Sequence, residues 1–292
     1  MAGGPASFPD RVRHLGNYPA EMPSAPGPSP ARSGSARPAA LITGATGGIG
    51  RALVGALADH RQVLLGRDAA VLAGLAEELP EASWVAADLS QPEDLELILG
   101  VGAGLPRRLD LLIHAAGAVR VAPLEHQRPE AWAEALAVNL AGPAELTRLC
   151  LPALRAARGR VVFINSTAGL VANPNWTSYA ASKWGLRGFA DALRHEVAPD
   201  GVRVATLFPS RTDTDMQRAV RKQEGGTYNA DEYLDPTAVA QAVRAIVDAC
   251  AGIPVLNRIF GEGSAGTSIL MAGIVLSIMI LPIITTISRE VF

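Results

Sequence analysis

The feature that most constrains this chain is the run from Thr43 to Gly50, TGATGGIG, set between an apolar stretch, AALIT (39 to 43), and a helical pattern, RALVGALADH. Its glycines have separate uses. Gly44 permits a tight turn, Gly48 lets backbone N–H groups approach an anion, and Gly50 lets the next helix pack closely on a sheet. A helix N-terminus also carries unpaired N–H donors and partial positive charge. Strand, turn and helix in this order therefore describe a cradle for a pyrophosphate. A glycine-rich loop alone also serves plain turns, so it is the flanking elements that point to a dinucleotide.

The same rhythm continues along the chain. Apolar runs QVLLG (62 to 66), SWVAA (83 to 87), LDLLIHAA (109 to 116), GRVVFIN (159 to 165) and GVRVATLF (201 to 208) alternate with longer amphipathic stretches. Strands without a polar face suit a parallel sheet covered on both sides. Right-handed crossovers then predict an α/β fold, a Rossmann-like doubly wound sheet of six readable strands with ligands beyond the carboxyl ends of the strands. A length of 292 residues allows one such domain with a full core. Hydrophobic residues at 49%, charged residues at 18% and a net charge of -2 argue against a disordered chain and against nucleic acid as a partner drawn by bulk charge. Cys150 and Cys250, a hundred residues apart, form neither a disulfide framework nor a metal site.

Two flanking regions depart from this rhythm. Residues 1–37 are rich in Pro, Gly, Ser and Ala without an apolar period, and read as a disordered leader. Residues 252–292 contain SILMAGIVLSIMILPIITTI (268 to 287), twenty residues without a charge, which reads as a membrane-spanning segment, with a buried core helix as the other reading. The domain between them covers 38–251.

The tip of the second strand bears on the choice of cofactor. Enzymes that grip a ribose 2'-hydroxyl commonly place a carboxylate there, whereas this chain has Gly66 and Arg67. A guanidinium suits a 2'-phosphate, so NADP(H) is preferred; Asp68 is near enough to keep NAD(H) open. Asp88, after the third strand, has two readings: an acceptor for an adenine amine, or the N-cap of the next helix.

Chemistry is suggested by Ser166 at the end of the fifth strand and by YAASK thirteen residues later, where Tyr179 and Lys183 stand four apart. On a helix they share a face. Tyrosine titrates near about 10, so a neighbouring ammonium that stabilises its phenolate would make it a better acid/base at neutral pH.

These motifs, in order and spacing, resemble the short-chain dehydrogenase/reductase family over residues of about 39 to 251. TGATGGIG resembles the family's TGxxxGxG. HAAG (114 to 117) stands where NNAG is usual, Asn139 lies in AVNLAG, and FPSRT stands where a PG motif is usual. The resemblance implies hydride transfer between NADP(H) and an alcohol or carbonyl substrate. Tyr179 would be the acid/base, Ser166 would orient the carbonyl oxygen, Lys183 would also hold the nicotinamide ribose, and Asn139 would keep a water in the proton relay. Cofactor contacts would come from Thr43, Gly44, Thr46, Gly48, Ile49, Gly50, Arg67, Asp88, His114, Ala115, Ala116, Gly117, Tyr179, Lys183, Pro209 and Thr212. His114 also reads as a structural strand-end group. Ser210, in place of the PG glycine, would restrict the backbone beside the nicotinamide. No metal is implied, and family members are often homo-oligomers.

The seventh strand usual in the family is not readable after the helix ending near Ala251. The last forty or so residues instead resemble a fragment of a phosphate ABC-transporter permease subunit, which implies either a fused reading frame or a membrane anchor on a cytoplasmic catalytic domain. A non-catalytic nucleotide-binding protein and a transport component are the rival functional classes. Substrate choice would lie after Gly117, after Ser166 and from Arg211 to about Leu234. That last stretch reads equally as a lid hinged at Gly225 and Gly226 or as an exposed helix and loop.

Overall fold

The computed structural model describes residues 37–101 and 105–251, the side chains of Val101, Cys250 and Ala251 excepted. Six parallel strands form one sheet in the order β3-β2-β1-β4-β5-β6: β1 (Ala39–Thr43), β2 (Arg61–Gly66), β3 (Ala82–Ala86), β4 (Leu111–His114), β5 (Arg160–Ile164) and β6 (Arg203–Leu207). Helices α1 (Gly48–Ala56), α2 (Ala69–Glu77), α3 (Leu95–Val101), α4 (Pro129–Leu136), α5 (Gly142–Ala157), α6 (Thr177–Val197), α7 (Asp215–Gln223) and α8 (Pro236–Ala251) complete the alternation. The chain divides into two units, Met1–Val243 and Arg244–Phe292. The sheet and the crevice described below belong to the first.

Burial explains why the strands were legible. All five residues of β1 are buried, with Ala39 and Leu41 joining Val63, Val85, Leu112 and Phe163 in one continuous core. A strand covered on both faces gains apolar contact at every position, which produces an unbroken apolar run rather than alternation. The strand order reverses between β1 and β4, so the crevice beyond their carboxyl ends is where a doubly wound sheet holds its ligand.

β4 is shorter than its apolar run, because the N–H groups of Ala115 and Ala116 turn to the Thr43 hydroxyl instead of a neighbouring strand. Between α4 and α5 the helix widens into a π-helical turn, Ala137–Ala141, and Gly142 then passes so close to the Leu89 carbonyl that a Cβ would stand 2.5 Å from its oxygen. Such widened turns aim a side chain that a regular helix would point elsewhere. Here that side chain is Asn139, which is buried.

Among the described residues no seventh strand follows β6, whose pattern of mostly half-buried positions is that of a sheet edge. The leader read at 1–37 lies outside the described residues except for Arg37. The membrane reading of the tail is withdrawn. Among the described residues no helix is long and apolar enough to cross a membrane, and 268–287 lies outside them. The permease likeness, the membrane partner and the membrane-associated localisation rested on that run, and they are withdrawn with it. An apolar length meets one requirement of a span without establishing that a span forms.

Candidate active site

The floor of the crevice is built by Thr43, fully buried, whose hydroxyl accepts from Ala115 N and Ala116 N at 3.1 Å each. Thr43 therefore ties the ends of β1 and β4 together through its side chain. Gly44 follows with φ +65°, and a Cβ there would lie 2.8 Å from both N and Cα of Ala116. A Cβ on Gly50 would lie 1.9 Å from the Gly44 carbonyl oxygen. Only glycine satisfies both places. Gly48 meets the opposite wall, where Thr214 Cγ2 stands 2.6 Å from where its Cβ would be.

α1 begins at Gly48 with Gly47 extended at its N-cap, no side-chain cap and no acidic residue in its first turn. Its leading N–H groups are left for an anion, and nothing there repels one. This open cradle fits a dinucleotide pyrophosphate. One arm of the crevice runs from Gly44, Thr46 and Gly47 past Gly66, Arg67 and Asp88 to Ala115, Ala116 and Gly117. Arg67 is exposed, whereas Asp68 is occupied as the N-cap of α2, its Oδ1 accepting from Ala70 N and Val71 N at 3.0 and 3.1 Å. The guanidinium is the free group and the carboxylate the engaged one, an arrangement suited to a 2'-phosphate. Asp88 lines this arm while its Oδ1 accepts from Ser90 N at 2.9 Å, so it closes a local turn and does not cap a helix.

The other arm is lined by Ile49, Ser166, Tyr179, Pro209 and Thr212, and Met216 borders both. Tyr179 and Lys183 lie on the buried face of α6 together with Ser178, Ser182 and Leu186, the spacing of one helix side. Lys183 Nζ donates to the Ile164 carbonyl at 3.2 Å and stands 5.7 Å from the centre of the Tyr179 ring. Burial raises the Tyr179 phenol above its ordinary value, and the Ser166 hydrogen bond opposes that rise. Burial also lowers the Lys183 ammonium to about 8. The lowering of Tyr179 by Lys183 anticipated from their spacing is not seen: burial dominates the shift, and the group that opposes it is Ser166.

Asn139 holds the nearby loop. Its Oδ1 accepts from Ala118 N at 2.9 Å, and its Nδ2 donates to the Ala118 carbonyl at 2.8 Å and to Ser182 Oγ at 2.9 Å. Asn165 locks the strand end to α6 through Nδ2 donating to the Lys183 carbonyl at 3.0 Å, and its Oδ1 accepts from Ser166 N at 2.9 Å. Asn165 carried no readable motif of its own. The one hint was its place beside Ser166.

His114 lies apart from the crevice, 2% exposed and stacked on Phe163 with ring centres 4.9 Å apart. The Thr147 hydroxyl donates to the Pro143 carbonyl at 2.7 Å, which leaves it to accept from His114 Nε2 at 2.9 Å. Burial drives the His114 pKa down to about 3, so the imidazole is neutral and its place is in the core. Ser210 lines the crevice without strain, since among the described residues only Arg158 and Asn175 are non-glycine residues with positive φ. Thr212 is 6% exposed and donates to the Ser210 carbonyl at 3.0 Å. Thr214, two residues on, is the threonine that reaches Gly48, and it also caps α7 by accepting from Gln217 N at 3.2 Å.

The stretch from Arg211 to Leu234 closes the second arm. Arg211 packs over the Trp176 ring and makes a two-point ion pair with Glu224 at 2.5 and 2.7 Å, and Gln223 Oε1 accepts from Val121 N at 2.8 Å. Gly225 turns the chain with φ +73° just after α7.

Comparison with known proteins agrees with this geometry. The family described as short chain dehydrogenase matches residues 38–225. The 3-oxoacyl-[acyl-carrier-protein] reductase FabG of Vibrio harveyi is 30% identical over 212 residues, 70% of this chain and 87% of the relative. The structure of a short chain dehydrogenase from Escherichia coli CFT073 complexed with NADPH superposes with a TM-score of 0.64 at 28% identity, over 72% of this chain and 90% of that one. An alcohol dehydrogenase from the archaeon Thermococcus sibiricus complexed with 5-hydroxy-NADP gives 0.63 at 27% identity, over 73% and 91%. With the matched segment spanning the cradle, the crevice and the Ser166, Tyr179 and Lys183 cluster, this chain belongs to the short-chain dehydrogenase/reductase family.

Proposed function

We propose that residues 38–251 act as an oxidoreductase domain that interconverts a carbonyl compound and its alcohol with NADP(H), using Ser166, Tyr179 and Lys183. The observation that carries this reading is the buried phenol of Tyr179, hydrogen-bonded with Ser166 in a crevice whose other arm is an uncapped glycine cradle. The relatives that hold NADPH or 5-hydroxy-NADP, and the one named for reducing a 3-oxoacyl group, support the same class of reaction.

When bound, NADP(H) supplies or accepts the hydride. The N–H groups at the start of α1 would hold its pyrophosphate, and Arg67 would pair with the 2'-phosphate. NAD(H) lacks that phosphate and is the weaker fit.

Tyr179 gives its phenolic proton to the substrate oxygen in reduction and takes it back in oxidation. A phenol held protonated by burial is prepared for the first of these. Ser166 accepts from Ala168 N at 3.1 Å, which orients its hydroxyl as a second donor to the same oxygen. Lys183, anchored on the Ile164 carbonyl, places positive charge beside the phenolate that forms. Asn139 fixes the 117–118 loop and Ser182, so its part is positioning.

Tyr179→Phe is expected to lower the turnover of aldehydes or ketones with NADPH by about a hundredfold to ten-thousandfold, the span typical of a general acid. NADPH should still raise the melting temperature of the variant; turnover equal to wild type would remove Tyr179 from the mechanism. Arg67→Glu is expected to raise KM for NADPH roughly tenfold or more while leaving KM for NADH little changed. Equal effects on both cofactors would contradict the 2'-phosphate contact. Lys183 has a pH signature in the cofactor-free protein. Its pKa falls from 10.5 to about 8 on folding, so the folded state binds fewer protons between those values. The resulting penalty is complete below pH 8, shrinks as pH rises and is gone above 10.5. Lys183→Met should therefore raise stability near pH 7, by up to about 3 kcal/mol, with the gain fading towards pH 10.5 in melts recorded across that range. A gain independent of pH would contradict this origin.

A further inference from the structure

α6 begins without a cap of its own. Trp176, at its N-cap, makes no side-chain cap hydrogen bond, and its first turn holds no acidic residue. The Thr177 and Ser178 hydroxyls are buried without a partner, so neither supplies one. The leading N–H groups of a buried helix start call for a side-chain oxygen. Here the oxygen comes from 51 positions away, where Gln127 Oε1 accepts from Ser178 N at 3.2 Å.

Gln127 is 7% exposed, and both ends of its amide are engaged. Its Nε2 donates to the Ala122 carbonyl at 2.7 Å and to the Asn175 carbonyl at 3.1 Å. The Asn175 carbonyl also accepts from Ala122 N at 3.0 Å. Asn175 has φ +70°, the left-handed conformation that asparagine tolerates better than most residues. One amide thus joins the stretch after β4, the turn before α6 and the first turn of α6 itself. Tyr179 directly follows Ser178, and the Trp176 ring lies edge-on to its phenol with centres 5.6 Å apart. The stretch after β4 is in turn fixed at Ala118 by Asn139 and at Val121 by Gln223. Gln127 borders neither arm of the crevice, so it acts on the reaction only through what it holds.

We infer that Gln127 is a positioning residue: its amide supplies the cap of α6 from the stretch after β4 and so holds the Tyr179 hydroxyl in place beside Ser166. The inference rests on the reading of Tyr179 as the acid/base. Proton transfer depends steeply on geometry, and a misplacement of about 1 Å costs on the order of a hundredfold in rate. Gln127→Met keeps the length of the side chain and withdraws all three bonds.

The test compares Gln127→Met with Gln62→Met in the full chain. Gln62 is the matched control, because it is 1% exposed and its Nε2 donates to the Val54 and Leu57 carbonyls at 2.9 Å each, yet it borders neither arm. With NADPH and a ketone that wild type reduces, Gln127→Met should lower kcat by roughly tenfold or more beyond any fall in Gln62→Met, with KM for NADPH within about twofold of wild type. A smaller difference between the two variants, or a KM for NADPH outside that range, overturns the inference. If Gln127→Met shows no NADPH-dependent rise in melting temperature, Gln127→Glu is measured against the same limits; it keeps an acceptor for Ser178 N, but the Ala122 and Asn175 carbonyls repel its carboxylate. If that variant is unfolded as well, Gln127 is a structural residue and the inference fails. If wild type reduces no ketone of a broad panel, the reading of Tyr179 as the acid/base fails separately, and hydrogen exchange decides what Gln127 holds. Exchange in 177–183 faster by roughly tenfold or more in Gln127→Met, with 44–56 unchanged, supports its hold on α6, and any smaller or less local change overturns it.

Discussion

Where β1 meets β4, the backbone of the glycine turn lies against the backbone of residues 115 and 116 with no room for a side chain. A Cβ on Gly44 would stand 2.8 Å from Ala116, and one on Gly50 would stand 1.9 Å from the Gly44 carbonyl oxygen. Thr43 secures this contact from beneath by accepting both amides of the β4 turn. Because the strand order reverses at this point, the contact also forms the floor of the crevice. The phosphate cradle, the Ala118 loop held by Asn139 and the wall carrying Thr214 are all placed relative to it.

The arm that holds Tyr179 and Lys183 depends on burial more than on pairwise charge. Tyr179 is 8% exposed and Lys183 3%, so desolvation raises the phenol and lowers the ammonium. Both shifts favour the neutral form of each group. Lys183 is thus an unfavourable residue for the folded state and, in the proposed mechanism, a useful one beside a phenolate. A site that keeps such a group, anchored by one backbone carbonyl, exchanges stability for function. His114 marks the contrast. It is just as buried and its pKa is also depressed, but it is stacked on Phe163 and bonded to Thr147, away from the crevice.

Much of this was legible in the amino-acid order. Core strands of a parallel sheet announce themselves as unbroken apolar runs, and a four-residue spacing places Tyr179 and Lys183 on one helix face. What could not be read depended on three-dimensional neighbours. The π-helical turn that carries Asn139 breaks the regular helical period that the residues around it follow. Whether Thr43 or His114 faces a ligand or the interior depends on Ala115, Ala116 and Thr147, which lie from 33 to 73 positions away. The partner of Asp68 lies only two residues ahead, and its capping role was readable in principle. Thr214 and Gln127 gave no motif signal, because one is recognised by its approach to Gly48 and the other by bonds to residues up to 51 positions away. The membrane reading of 268–287 rested on apolar length alone.

The central claim is that the two arms of this crevice bring a reduced nicotinamide and a carbonyl together under the Tyr179 proton. Its most direct test is the fate of a label. NADPH carrying deuterium at both C4 positions, incubated with the full chain and a ketone that it turns over, should give an alcohol with one deuterium on the carbinol carbon, as read by mass spectrometry and proton NMR. An alcohol free of deuterium at that carbon would contradict direct transfer between the two arms.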